Sequence, residues 1–379
     1  MSASELPRRA ANVLMVSTSY PATQNDWPGL FIRRVAEALA RRDDVQLRLW
    51  SPPGDFPDKV GYAATSGERN WLEGLMKTGG IAHLLRTQRM RGALAGFRLL
   101  RMLRALYRRE SNVDLYHVNW LQNALGLGRD RKPLLVTVLG TDMQLLKLPG
   151  VAWWLRRVFR RRRVAICPNA RWMMPELQAR FSAVATACFV PFGIEPRWFE
   201  IVRAPILPSR WLCVSRLTRG KLGTLFDWCE PFFKNTDREL HLFGPMQEKI
   251  QIPAWVRYHG PARSDLLSAD WFPRATGLIT LSGHSEGWPQ VMLEAMAGGL
   301  PVVASRIAAH EDMLTHRVTG WLCDSSKDVG EALDALDDAA TNREVGARAR
   351  AWARATVGTW DDCAARYISV YRSLMDMPS

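Results

Sequence analysis

Along most of the chain, short apolar runs rich in Val, Leu and Ile alternate with longer segments whose apolar residues recur every three or four positions. In the first half the short runs are Val13–Thr18, Val45–Trp50, Asp114–Val118, Leu134–Leu139, Val164–Cys167 and Cys188–Pro191. In the second half they are Trp211–Ser215, Glu239–Phe243, Val256–His259, Gly277–Leu281, Pro301–Ala304 and Gly320–Cys323. The runs read as strands and the periodic segments between them as helices, most clearly Leu30–Arg41, Leu222–Phe233, Val291–Ala297, Val329–Ala339 and the last segment, from Trp360 to Met375. Such alternation means βαβ units and parallel sheets. The prediction is an α/β chain of two doubly wound domains, 1–203 and 204–359, whose strand ends face a central cleft. The Pro-bearing segment Arg203–Ser209 is the expected hinge between them.

Composition narrows the class. With 379 residues, 47% of them hydrophobic and 23% charged, the chain has room for two ordinary cores. The six cysteines are far apart and form no CxxC pair or Cys/His cluster, which predicts reduced thiols in a cytosolic protein and no zinc site. The apolar run after Arg8 and Arg9 is short and reads as a first strand rather than a signal peptide, and no apolar stretch is long enough to span a bilayer. No GxGxxG follows the first strand, which weighs against a dehydrogenase. A net charge of +14 points to a polyanionic partner or to a bias toward Arg.

The segment from Leu281 to Ser305, LSGHSEGWPQVMLEAMAGGLPVVAS, reads as a strand, a polar turn, a helix opened by Pro289, a stop at Gly298-Gly299 and another strand. Glu286 falls in the turn and Glu294 within the helix, both near strand ends where a ligand docks in such sheets. A carboxylate there accepts paired hydrogen bonds from vicinal hydroxyls, as on a sugar or ribose. Spacing alone leaves a helix cap and a solvated surface charge as equal alternatives. A second segment, Val214-Ser-Arg-Leu-Thr-Arg-Gly-Lys-Leu-Gly223, places Arg216 and Lys221 just past another strand. There, fixed cations suit a diphosphate that gains charge as a bond to it breaks.

The first segment resembles the donor-binding motif of the retaining GT-B glycosyltransferases, particularly glycosyltransferase family 4. Ser282, Glu286, Gly287, Glu294, Ala295, Met296, Ala297, Gly299, Pro301, Val302, Val303 and Ser305 all fit its pattern. The second resembles that family's G-R-L-x-x-x-K-G segment, with Ser215 in place of Gly and Leu222 inserted before Gly223. Weaker similarities occur at Phe192–Phe199, Phe243-Gly244, His259-Gly260 and Ala308–Glu311. The resemblance implies a GT-B fold of two Rossmann-like domains, with the last helix, 360–379, completing the first. It also implies Glu286 on the donor sugar's hydroxyls, Glu294 on the ribose, and Arg216 and Lys221 on the diphosphate, with no metal or other cofactor. On the acceptor side, Gly29 at a helix start is expected near the donor phosphates. Asp114–Trp120 is similar to a D-x-x-H-x-H strand end, with Asn119 at the second His, and Leu139–Asp142 to H-G-x-D, with Leu139 for His. His117 and Asp142 are accordingly expected to line the acceptor cleft.

Two clusters carry the basic excess. Arg86, Arg89, Arg91, Arg98, Arg101, Arg104, Arg108 and Arg109 fall mostly on one helical face opposite Leu85, Leu99, Leu103 and Leu106, with Leu94 and Phe97 among the arginines. The second, Trp153–Arg163, mixes aromatics with six arginines. Arg interleaved with Trp, Phe and Leu suits an anionic membrane interface. No nucleic-acid-binding motif accompanies either cluster. The reading is a retaining, metal-independent hexosyltransferase, peripheral on the cytosolic face of the inner membrane, using a nucleotide-sugar donor and a glycan or polyprenyl-diphosphate-linked acceptor. A GT-B-fold nucleotide-sugar epimerase and a non-catalytic basic protein that binds nucleic acid or membrane are the alternatives.

Overall fold

The computed structural model describes residues 9–23, 26, 29–284 and 287–376, with backbone alone at 82, 83, 85, 86 and 376. It divides into two compact units, residues 1–192 with 360–379, and residues 193–359.

In the first unit, the described strands are β1 (Ala11–Val16), β2 (Val45–Trp50), β3 (Gly61–Tyr62), β4 (Leu115–Asn119), β5 (Leu134–Val138), β6 (Val164–Pro168) and β7 (Thr186–Ala187). They form one parallel sheet in the order β3-β2-β1-β4-β5-β6-β7. Every residue of β4, β5 and β6 is buried, as expected of central parallel strands covered on both faces. The second unit holds β8 (Ser209–Val214), β9 (Arg238–Phe243), β10 (Val256–Tyr258), β11 (Gly277–Thr280), β12 (Val302–Ser305) and β13 (Trp321–Cys323), also parallel, in the order β10-β9-β8-β11-β12-β13. Each sheet reverses its winding once, between β1 and β4 in the first unit and between β8 and β11 in the second. At such a switch point the loops leaving two adjacent strands diverge to opposite faces and leave a crevice between them.

The expected strands match these closely, with differences that have local causes. β3 is only two residues long, paired at Gly61 with Arg48, and leaves no periodic signal. Cys188–Pro191 is not a strand. β7 ends at Ala187, and beyond it only Cys188 and Val190 donate to carbonyls of the β6 segment before Pro191, which has no N–H. The boundary between units falls at Phe192/Gly193 rather than at 203/204. Arg203–Ser209 is not a hinge. The half-buried Arg203 guanidinium donates to the carbonyls of Ala275, Thr276 and Gly299 and to Asn342, while Ala204 and Ile206 donate to Pro273 and Arg274, all within the second unit.

The last helix, Trp360–Asp376, packs on the first unit. Trp360, Cys363, Ala364, Tyr367, Tyr371 and Leu374 are buried in one core with Ile32, Val35, Ala36 and Leu39 of the helix Leu30–Ala40. This helix also fixes His117. Its Nδ1 is hydrogen-bonded to the Tyr371 hydroxyl at 2.6 Å and its Nε2 to Thr137 Oγ1 at 2.8 Å, and Thr137 in turn meets Tyr367 at 2.9 Å. Burial with no facing carboxylate pushes the His117 pKa down to about 3.

That shift has a consequence for stability. The folded state keeps His117 neutral while the unfolded chain protonates it below about 6.5. The associated stability is complete above pH 6.5 and is lost as the pH falls toward 3, at about 1.4 kcal/mol per pH unit. Urea midpoints measured from pH 7 to 4.5 are expected to fall more steeply for the wild type than for His117→Gln, which cannot titrate; parallel slopes would contradict the buried neutral ring.

Candidate functional site

In the second unit the switch point lies between β8 and β11, the two strands after which the chemistry-bearing segments leave. The loop after β8 holds Arg216, half-buried, and then the short helix Arg219–Leu222 with half-buried Lys221. Thr218 caps that helix, its hydroxyl accepting from the Lys221 amide at 3.2 Å. The turn after β11 holds Ser282, Gly283 and His284.

Backbone contacts join the two. Gly283 N donates to Gly220 O at 3.0 Å, Ser282 Oγ to the same carbonyl at 3.3 Å, and Thr224 N to Leu281 O at 3.3 Å. Gly223 closes the seam. It has φ +53°, and a Cβ on it would lie 2.0 Å from Leu281 O, so no other residue fits. On its other side the β8 loop is held by the exit of β9. Leu217 bridges Met246, Arg219 N donates to Glu248, and Gly244 passes so close to Ser215 O that its Cβ would stand 1.7 Å away.

A further layer supports the β11 turn. Ser305 Oγ donates to Ser282 O at 2.6 Å, and buried His310 binds the Ser305 carbonyl through Nδ1 at 2.8 Å. Trp288 is buried and donates to Asp312 at 2.7 Å, fixing the chain just before the helix Gln290–Ala297. Half-buried Glu294 projects from that helix. The far end of the helix is held by two arginines, Arg350 donating to Gly298 O at 2.7 Å and Arg203 to Gly299 O at 2.9 Å, where cations also complement the helix dipole. The loop carrying Arg216 and Lys221 is thus tied to the turn that leads into the helix carrying Glu294. Glu286 lies outside the described residues. Glu311, the carboxylate of the shortened loop, is exposed and pairs with Arg306 at 3.5 Å.

In the first unit the switch point lies between β1 and β4. Gly29 stands there at the start of the helix Leu30–Ala40, with φ +76° and a Cβ position only 2.6 Å from Tyr20 N, so a glycine is required. Of the segment around it, residues 25, 27 and 28 lie outside the described residues. His117 and Asp142 do not line this crevice. His117 is enclosed under the last helix with both ring nitrogens engaged. Asp142 is 1% exposed and accepts the amides of Leu121 at 2.6 Å and Leu139 at 2.7 Å. Burial pushes its pKa up to about 7 against the pull of those amides, and its role is to hold two loops together. Asn119 is also buried, donating to Val16 O at 3.3 Å.

The residue that sequence reasoning missed is Trp120. It has φ +67° and ψ 137°, a conformation that costs a bulky side chain of order 1–3 kcal/mol. Its ring meets Phe31 edge-on at 5.9 Å, and Phe31 stacks on Phe192 at 5.1 Å. A strained, half-buried aromatic at a switch point is the kind of feature that marks a binding site. Its only sequence signal is its place directly after a strand.

Comparison with known proteins bears on the family and on the fold. Residues 272–356 match the family model described as glycosyl transferases group 1. The amylovoran biosynthesis glycosyltransferase AmsK of Erwinia amylovora is 32% identical over 149 residues, covering 34% of this chain and 36% of that protein. The D-inositol 3-phosphate glycosyltransferase of Pseudarthrobacter chlorophenolicus is 36% identical over 111 residues, 28% of this chain and 26% of that one. The match therefore spans only 26% to 36% of the length of these curated relatives. Sucrose-phosphate synthase from Thermosynechococcus elongatus aligns over 97% of this chain and 99% of its own, with a TM-score of 0.68 at 17% identity. Anabaena HepE in complex with UDP and glucose aligns over 96% and 100%, with a TM-score of 0.64 at 14% identity. At such identities the likeness establishes the fold alone, the paired Rossmann-like units of GT-B proteins.

The seam at the second switch point is open to direct test. Gly223→Ala is expected to lower stability by at least the 1–3 kcal/mol of its backbone strain and to displace the Lys221 helix. Gly283→Ala, whose Cβ meets nothing within 4 Å, is the control. Melting temperatures of the two variants check this, and equal values would mean the loops are not sutured there.

Proposed function

We propose that this chain, a GT-B protein carrying the group 1 glycosyl transferase domain at residues 272–356, is a retaining glycosyltransferase that moves a sugar from a nucleoside diphosphate to an acceptor hydroxyl. The observation that supports the reading is the suture of the β8 and β11 loops, which ties the loop carrying Arg216 and Lys221 to the turn leading into the helix that carries Glu294. In this reading the two cations hold the diphosphate, Glu294 accepts from the ribose hydroxyls, and Glu286 from the sugar.

The bond from the anomeric carbon to the phosphate oxygen breaks as the acceptor oxygen bonds to the same face of that carbon. The acceptor's proton passes to the departing phosphate oxygen, so the enzyme supplies no base of its own. That suits a first unit in which His117 and Asp142 are sealed away. Arg216 and Lys221 stabilise the charge that develops on the diphosphate, a role that needs no metal. Trp120 and Phe31, at the switch point of the first unit, present an aromatic wall for the acceptor.

The acceptor belongs to a membrane, and the arginine clusters bring the protein to its anionic surface. In the helix Arg89–Arg109, Leu99, Leu103 and Leu106 are buried, whereas Met90, Leu94 and Phe97 are exposed beside Arg89, Arg101, Arg104 and Arg108, which have no carboxylate partner among the described residues. The Arg86 side chain lies outside the described residues. No described helix is long and apolar enough to cross a membrane. Acceptors of this kind are a glycan or a polyprenyl-diphosphate-linked sugar at the cytosolic face of the inner membrane, a reading to which the likeness to AmsK, a glycosyltransferase of amylovoran biosynthesis, lends support.

Thermal shifts with UDP-, GDP-, dTDP- and ADP-sugars test the donor site. One nucleotide series is expected to stabilise the protein, by about 2.7 kcal/mol at a hundredfold excess over Kd, and Glu294→Ala and Lys221→Ala to abolish the shift. A panel with no shift removes the transferase reading. Conversion of a donor without acceptor would instead identify an epimerase. Separately, flotation with phosphatidylglycerol vesicles is expected for the wild type and lost in Leu94→Glu/Phe97→Glu; binding unaffected by that pair of changes would refute the membrane face.

A further inference from the structure

The helix Val151–Phe159 and the turn after it bury Leu155, Val158 and Phe159 against the first unit. Their outer side forms a hollow of about 190 Å3, lined by Trp153, Arg156, Arg157, Arg160 and Arg161 and by no carboxylate. The neighbouring arginines have their charges or donors engaged elsewhere. Arg162 is fully buried and pairs with Asp130 at 3.1 Å, and Arg163 donates to Met375 O at 3.3 Å. Arg156 is anchored by its Nε, which donates to Arg180 O at 2.8 Å, and Arg180 is itself tied to Glu176 at 2.8 Å. The side chains of Arg157, Arg160 and Arg161 have no ion pair or hydrogen bond to any described residue. Trp153 is 66% exposed and forms one wall.

A helix C-terminus favours cations, and that accounts for Arg156 and Arg157 in the last turn. It does not account for Arg160 and Arg161 sharing a concave wall with an indole. Guanidinium groups converging without a counter-charge repel one another, and a multiply charged oxyanion relieves that repulsion. Arg forks meet phosphate oxygens in bidentate geometry, so several of them around a small hollow select a compact anion with many oxygens over a diffuse charge.

We propose that this hollow is a binding site for a phosphate ester bearing at least two negative charges, a phosphomonoester or a diphosphate, separate from the crevice between β8 and β11. This goes beyond the membrane reading, which needs only diffuse charge, and it does not rest on the transferase reading. Arg157, Arg160 and Arg161 grip the oxygens, Arg156 is the pre-set wall, and Trp153 packs on the ester's organic part. The chemistry is shared by soluble phosphate esters and by lipid headgroups.

Pyrophosphate titration by calorimetry at constant ionic strength tests the site, in the wild type, in Arg160→Gln/Arg161→Gln and in Lys221→Ala. The expected result is binding that survives Lys221→Ala and weakens at least tenfold in Arg160→Gln/Arg161→Gln. Binding lost only in Lys221→Ala would assign all of it to the donor crevice and overturn the proposal, as would no binding in any variant. Arg157→Gln provides a milder second variant, and far-ultraviolet circular dichroism identifies any that fail to fold. Vesicles of matched charge then separate the sources. Retention by phosphatidic acid over phosphatidylglycerol, abolished by Arg160→Gln/Arg161→Gln, identifies a lipid headgroup, and equal retention with intact pyrophosphate binding identifies a soluble ester.

Discussion

The second unit depends on one close approach, Gly223 against the carbonyl of Leu281, where a Cβ would stand 2.0 Å from the oxygen. Two loops that leave adjacent parallel strands at a switch point ordinarily part company, because the helices they lead to lie on opposite faces of the sheet. Here the missing side chain lets the loops touch, and the bonds from Gly283 and Ser282 to Gly220 O keep them together. Without that suture Arg216 and Lys221 would ride on a loop independent of the helix carrying Glu294. With it, the loop carrying the cations and the turn leading to the Glu294 helix share one frame. The outer supports follow from the same need. Ser305 and His310 hold the β11 turn from below, and Arg203 and Arg350 hold the far end of the Glu294 helix.

Much of this was legible in the sequence, and the reason is geometric. In a doubly wound sheet a short apolar run fixes a strand, and the few residues after it fall at the carboxyl edge whatever the rest of the chain does. Arg216, Lys221 and Gly29 could therefore be placed from position alone, as could Glu294 on the helix that follows. Position does not reveal what covers a strand end. His117 sits one residue short of Val118 and looked accessible, but Tyr371, 254 residues later, closes over it. Asp142 was misplaced for a related reason, since its partners Leu121 and Leu139 are backbone amides and carry no signature in side-chain identity. Trp120 was missed because a left-handed φ at a non-glycine residue arises from the surrounding packing and not from local preference.

The hinge expectation failed in the same way. Two prolines in a short stretch do break periodicity, and Arg203–Ser209 has neither helix nor strand before Ser209. Absence of periodicity is nevertheless different from freedom to move. Arg203 donates to three carbonyls and an amide oxygen, which anchors the stretch. Burial beside Arg350 lowers its pKa to about 10, still well above neutral, so the charge persists inside the unit.

That persistence changes how the net charge of +14 should be interpreted. A half-buried arginine that caps carbonyls adds a full positive charge to the total, yet has its donors turned inward rather than toward a partner. Arg203 is such a residue, and Arg350, donating to Ile201 O and Gly298 O, is used in the same way. Arg109 and Arg162 are neutralised by Glu68 and Asp130. Bulk charge thus overstates the attraction of the whole surface and understates that of particular places on it. Among the described residues, Arg89, Arg101, Arg104 and Arg108 on the helix Arg89–Arg109, beside exposed apolar side chains, and Arg157, Arg160 and Arg161 around the hollow at Trp153 have no carboxylate partner. Salt screens attraction between exposed charges separated by more than about 8–10 Å, whereas a concave cluster meets its ligand at contact and is screened less. The two places should accordingly differ in salt dependence, and that difference follows from curvature rather than from the number of arginines.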